Sequence, residues 1–221
     1  MINRINIFSY FIILTLPFTF ITGPAIPDIS ITLIGILFII VFFFDEKLFH
    51  LRKNKFIKYS IFFWFFLLII SFFAENKYLA FTDSIIFLRI LLIPIFIKYW
   101  ILNSPKKINI LSIIIIISVI FVCIDTIYQF TNYDPVKGFG KDIFGFIPDF
   151  YGRLTGPFKG ELIPGAFVSK FSLLGLIFLF NFKKNKYQKI FIILYLSLVG
   201  IVCYISGERM SLATFILAIL I

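Results

Sequence analysis

Apolar residues fall in long blocks along this chain, and polar residues are confined to the stretches between them. The blocks run from Ile7 to Thr22, Ile29 to Phe44, Phe56 to Ala74, Ser84 to Leu102, Ile108 to Phe130, Pro164 to Phe182 and Ile190 to Ser206. Each is close to the roughly 20 residues that carry a helix across a hydrocarbon core. An eighth block starts at Met210 and stops at Ile221, which at about 1.5 Å per residue reaches only about halfway across. The pattern predicts an all-α, polytopic transmembrane helical bundle of seven full spans plus a truncated eighth, as in the N-terminal portion of a longer protein. No internal repeat or low-complexity linker divides it, so residues 1–221 read as a single transmembrane domain. Residues 131–163, which overlap most of the polar run from Asp125 to Glu161, predict a long loop outside the bilayer.

Composition agrees with that class. The chain is 61% apolar and 14% charged, with a mean hydropathy of +1.05, whereas soluble domains carry about 45–50% apolar and about 25% charged residues. The net charge of +10 would suit a nucleic-acid partner, but its distribution is topological. Most Lys and Arg residues stand in alternate connections: Arg4; Lys47, Arg52, Lys53, Lys55 and Lys58; Lys98, Lys106 and Lys107; Lys183, Lys184, Lys186 and Lys189. By the positive-inside rule these connections and the N-terminus are cytoplasmic. Loop 131–163 and the turn Ser206–Ser211 then face the periplasm of a bacterial inner membrane. Membrane lipids are the expected surroundings, and no nucleic acid is expected. Arg4 before the first block and the small residues Gly23 and Ala25 after it would suit a cleaved signal peptide, but Pro24 and Pro27 fit a cleavage site badly and further spans follow at once.

Several catalytic signatures are missing: no phosphate loop, no dinucleotide-binding glycine pattern, no HExxH and no GxSxG. His50 lies in a basic connection and reads as solvated. Cys123 and Cys203 lie in apolar helix and read as small core residues. Trp64, Tyr99, Trp100, Tyr128 and Tyr133 fall near predicted span ends, where interfacial aromatics belong.

What remains is a set of charges at one expected depth. Arg89 lies about two turns into the fourth span, Asp125 near the outer end of the fifth, Lys170 about two turns into the sixth and Arg209 at the start of the eighth. Intramembrane charges are costly and are functional candidates by default. Structural alternatives stand beside each. Arg89 and Asp125 could neutralise one another, Lys170 could snorkel to the interface, Glu208 could serve the helix dipole of the eighth span, and Arg209 could be an interfacial anchor. Asp134-Pro135, Gly138 and Gly140 read as loop-shaping residues. Arg153, before Thr155-Gly156-Pro157, is well suited to bidentate phosphate contact.

At these residues the chain resembles the O-antigen ligase and O-antigen polymerase family of polytopic envelope glycosyltransferases. Asp125-Thr-Ile-Tyr-Gln129-Phe-Thr-Asn-Tyr-Asp134 is similar to the family's D..YQ...G.D pattern, with Asn132 in place of the usual Gly. The block from Arg153 to Phe171 resembles R.SG.FGDE.I.GSFL.R.F, with Lys159 replacing the Gly, Gly160 the Asp and Lys170 the Arg. Ser206-Gly-Glu-Arg209-Met-Ser resembles the SGERT or GSR turn. The resemblance is detailed from Cys123 to Ile221 and extends to the earlier spans only in layout.

The resemblance implies transfer of a glycan from an undecaprenyl diphosphate carrier to a lipid-linked or lipid A-core acceptor at the periplasmic face. The charges suit that chemistry, with Arg153, Glu161 and Arg209 as the candidates for catalysis and Arg89, Arg153, Lys170 and Arg209 as the candidates for binding the lipid diphosphate. No cofactor or metal is implied, because the donor arrives already activated. Family members carry a second large periplasmic loop with a catalytic histidine beyond the segment matching Ile221, so this portion alone is expected to be inactive. Two other classes fit the charges. A transporter or flippase would use Arg89, Asp125 and Lys170 for translocation and should show repeated halves. A non-catalytic envelope assembly protein would tolerate substitution at Arg153 and Glu161.

Overall fold

A computed structural model of the chain describes residues 2–45, 54–136, 138, 140–149, 151–181 and 186–220. The readings of Lys47, His50, Arg52, Lys53, Lys183 and Lys184, the predicted span ends Phe182 and Ile221, and the side chain of Lys186 lie outside the described residues. The described residues form helices and loops, with no strand among them. The helices are α1 (Ile2–Thr19), α2 (Ala25–Phe44), α3 (Lys55–Ser71), α4 (Lys77–Ile97), α5 (Pro105–Thr131), α6 (Pro164–Asn181), α7 (Lys186–Ile205) and α8 (Arg209–Leu220). Among the described residues, five segments are long and apolar enough to cross a membrane: Ile2–Thr22, Ala25–Phe44, Lys77–Leu102, Pro105–Thr131 and Tyr187–Ile205. α3 has 17 residues, and the apolar stretches Pro164–Ile177 and Arg209–Leu220 are shorter still. Phenylalanines such as Phe43, Phe62 and Phe73 point outward from these helices or their ends. Apolar surface of that extent suits lipid and would be a liability in water. The chain is thus a helical membrane protein.

The helices pack in two compact units, one of residues 1–16 and 25–104, the other of 17–24 and 105–221. In the first, asparagines set the helix starts: Asn54 Oδ1 accepts the Phe56 N–H (2.9 Å) before α3, and Asn76 Oδ1 accepts the Leu79 N–H (3.2 Å) before α4. That cap starts α4 at Lys77 rather than at Ser84, so Arg89 lies twelve residues in, about 18 Å along the axis. Trp100 stands two residues before the end of the segment Lys77–Leu102, as expected, but faces inward. It is buried against Phe38, and its Nε1 donates to Asn6 Oδ1 (2.9 Å). Trp64 is displaced from a span end, standing nine residues into α3 with its Nε1 donating to the Ser84 carbonyl (2.9 Å).

In the second unit α5 is the central helix, packed against α6 and α7, with α8 closing on α6 and α7. Ile115, Val119, Val122 and Cys123 of α5 recur at helical spacing and meet Val168 of α6, Val199, Val202 and Cys203 of α7 and Phe215 of α8. Both cysteines are free thiols in this core. Phe20, in a short 3-10 turn, packs on Phe171 at 5.7 Å between ring centroids. α5 ends at Thr131 and α6 begins at Pro164, so the irregular segment between them occupies the predicted loop.

Candidate functional site

The loop is organised from the last turns of α5. Asp125, Thr126 and Gln129 share one face of the helix, and all three are fully buried. A buried primary amide needs partners, and Gln129 finds them in the loop. Its Oε1 accepts the backbone N–H groups of Thr155 (3.0 Å) and Gly156 (2.9 Å), and its Nε2 donates to the Thr155 hydroxyl (3.1 Å). The segment from Leu154 to Phe158, ending in a 3-10 turn over Gly156–Phe158, is thereby pinned beside the end of α5. Lys159, which follows, has φ 60° and ψ −109°, a conformation costly for any residue with a Cβ. Its ammonium lies 5.8 Å from the Phe146 ring centroid.

Asp125 holds a second part of the loop, its Oδ1 accepting the Ile143 N–H (2.8 Å). Asp142 then closes a turn: its Oδ1 accepts the Phe146 N–H (2.6 Å), and its own N–H donates to the Phe146 carbonyl (2.9 Å). The other carboxylate oxygen of each aspartate is buried without a hydrogen-bond partner among the described residues. Burial pushes the Asp142 carboxyl above its ordinary range, while the amides of Phe146, Phe144 and Gly145 pull it the other way. Asp134 shapes the outer part of the loop, as expected, by accepting the Val136 N–H on Oδ1 (2.8 Å).

The turn between α7 and α8 docks against this scaffold. The Ser206 carbonyl accepts the Leu154 N–H (3.3 Å), and Gly207 follows with φ +77°. A Cβ on Gly207 would lie 2.4 Å from the Gly152 carbonyl oxygen, so only glycine lets the two segments pass this closely. Glu208 then turns inward. Its Oε1 accepts the Gly165 N–H (3.0 Å), and its Oε2 accepts the Ala166 N–H (3.0 Å) and the Ser211 hydroxyl (2.7 Å). The amides of Gly165 and Ala166 belong to the first turn of α6, where N–H groups lack helical partners and carry the positive end of the dipole. Glu208, which immediately precedes α8, therefore also serves the dipole of α6, its carboxylate accepting hydrogen bonds directly from two first-turn amides of that helix.

Arg153 and Arg209 flank the Gly152–Gly207 contact and line one cleft of 460 Å³ together with Gly152, Gly207, Glu208 and Met210. Both arginines are exposed, and neither is ion-paired among the described residues. Both Glu208 oxygens are engaged elsewhere, so the available charge in the cleft is positive. No family model, curated protein or solved structure matches the chain.

Lys170 and Glu161, of the same unit, are not among the residues lining that cleft. Lys170 is exposed on α6, and Glu161 is exposed three residues before α6 begins. Arg89 belongs to the first unit, where it forms an ion pair with Asp28 and donates to the Thr32 hydroxyl. Asp125 is held by the Ile143 amide, so the two charges that could have neutralised one another each have a different partner. The sequence reading did not single out Asp142, Gly152 or the link from Glu208 to α6. For the last, the available signal was an acidic residue in a glycine turn and a Pro-Gly helix start.

Proposed function

We propose that the chain is an O-antigen ligase-like membrane glycosyltransferase whose Arg153–Arg209 cleft takes the diphosphate of a polyprenyl-linked glycan donor. The observation that carries this reading is the meeting of two unpaired arginines, distant in sequence, across a glycine contact in one cleft. Planar guanidinium groups match phosphate oxygens bidentately. In the reaction, an acceptor hydroxyl attacks the anomeric carbon, a new glycosidic C–O bond forms, and the bond to the lipid diphosphate breaks with its electron pair leaving on the diphosphate. Arg153 and Arg209 stabilise the charge that grows on that leaving group. Exposed Glu161 receives the hydroxyl proton or orients the acceptor, and exposed Lys170 of α6 adds a cation for the lipid diphosphate.

In this reading all seven complete apolar blocks cross the bacterial inner membrane, with the N-terminus cytoplasmic and loop 131–163 periplasmic. The alternation of basic connections supports that orientation. The test is glycan transfer by the reconstituted full-length protein. Charge-assisted hydrogen bonds contribute about 1.5–3 kcal/mol, so Arg153→Ala and Arg209→Ala should each lower the rate about ten- to hundredfold. Arg→Lys should restore it only in part. Wild-type rates in both alanine variants would remove the proposal and favour a transport or assembly role.

A further inference from the structure

The first unit carries two adjoining apolar hollows of 250 and 270 Å³ that share Ile39, Leu88 and Leu92 in their walls. Along α2 the walls follow Thr32, Ile36, Ile39 and Phe43, a helical stripe, so the groove extends about 16 Å. That is about half of the roughly 30 Å hydrocarbon core, the reach of one leaflet. At one end the lining becomes polar, at Thr32 and Arg89. α2 has 20 residues, enough to span the core, so its first turn, which contains Asp28, lies near the interface.

The ion pair at that end keeps unused valences. Arg89 donates from Nη1 to Thr32 Oγ1 and the Asp28 carbonyl and from Nη2 to Asp28 Oδ1, leaving N–H donors on Nε and Nη2. The Asp28 side chain is 59% exposed and retains a free Oδ2. A donor fork and a carboxylate oxygen thus stand side by side at the end of a groove one acyl chain long.

We propose that this groove seats a phosphatidylethanolamine molecule, one acyl chain along α2 and α4, its phosphate on Arg89 and its ammonium on Asp28. The charges decide among headgroups. Phosphatidylglycerol brings a phosphate but no cation, so it adds a net negative charge beside the neutral Arg89–Asp28 pair and leaves Asp28 Oδ2 without a partner. A choline headgroup has no N–H to donate to Asp28. The ethanolamine headgroup satisfies both partners, and the assignment does not depend on the glycan-transfer reading.

Trp64 lines the groove, whereas Trp100, the other tryptophan, is buried, so Trp64 reports on bound chains. The experiment reconstitutes the protein in phosphatidylcholine vesicles and titrates in chain-brominated phosphatidylethanolamine or phosphatidylglycerol, reading tryptophan quenching. The ethanolamine lipid should occupy the Trp64 site about three- to fivefold more strongly than either competitor. Asp28→Asn should reverse the preference toward phosphatidylglycerol, an outcome that loss of folding cannot imitate. Equal quenching by the two brominated lipids in the wild type overturns the proposal, as does a wild-type preference for phosphatidylglycerol or an unchanged ranking in Asp28→Asn.

Discussion

Gln129 fixes the Thr155–Gly156 backbone by three hydrogen bonds from a fully buried side chain. It could be picked out in the sequence as part of the D..YQ pattern, but not as the clamp it proves to be, because its partners lie 26 and 27 residues away. Arg153 and Arg209 were recognisable by their chemistry, as basic residues beside Gly-containing turns, but that neither is ion-paired among the described residues was not. Asp142 was not, since nothing in an isolated Asp-Ile-Phe-Gly turn tells that it is buried. Its raised pKa gives a prediction with a definite sign. A carboxyl that is a weaker acid folded than unfolded binds more protons in the folded state. Its stabilising contribution is therefore complete below the ordinary value of 3.8 and is lost as pH rises through the folded value. Asp142→Asn keeps the Oδ1 acceptor for Phe146 and cannot ionise. Thermal unfolding should show the variant more stable than wild type at pH 7, with the gain shrinking as the pH approaches 4. A gain independent of pH would contradict the assignment.

At the scale of elements, helix position was legible from the apolar blocks and helix starts were not. α4 begins at Lys77 because Asn76 caps it, and the hydropathy of Lys77 to Asp83 concealed that extension. The same shift carries Arg89 deeper along α4 than the block boundary implied, and its partner Asp28 comes from another helix, which no local pattern reveals. The join between α6 and α8 is likewise tertiary. Glu208 supplies acceptors to two first-turn amides of α6 and to Ser211. Glu208→Ala leaves these donors without their carboxylate partner, at about 1–3 kcal/mol for each group left unsatisfied. The variant should unfold at lower temperature by several degrees or more, with faster amide exchange at Gly165 and Ala166. Glu208→Gln, which retains acceptor capacity without the charge, should lose less. Equal stability of the alanine variant and wild type would show that the α6 terminus is satisfied another way.

For the whole molecule, the class of protein was legible because helices in lipid need long apolar blocks and leave little choice of architecture. The grouping into two units was not, since both are built from blocks of the same composition. Orientation rests on the basic connections, and cysteine labelling checks it. In a background lacking Cys123 and Cys203, an impermeant reagent added to intact cells should reach a cysteine at position 153 and not one at 53 or 184. The reverse pattern would move the cleft to the cytoplasm. The account turns on whether Arg153 and Arg209 grip one diphosphate, and equilibrium binding of undecaprenyl diphosphate to the purified protein measures this directly. Each alanine variant should bind about ten- to hundredfold more weakly, and the double variant should lose less than the sum of the two losses, since both side chains address the same group. Unchanged affinity in both single variants would contradict a shared diphosphate site.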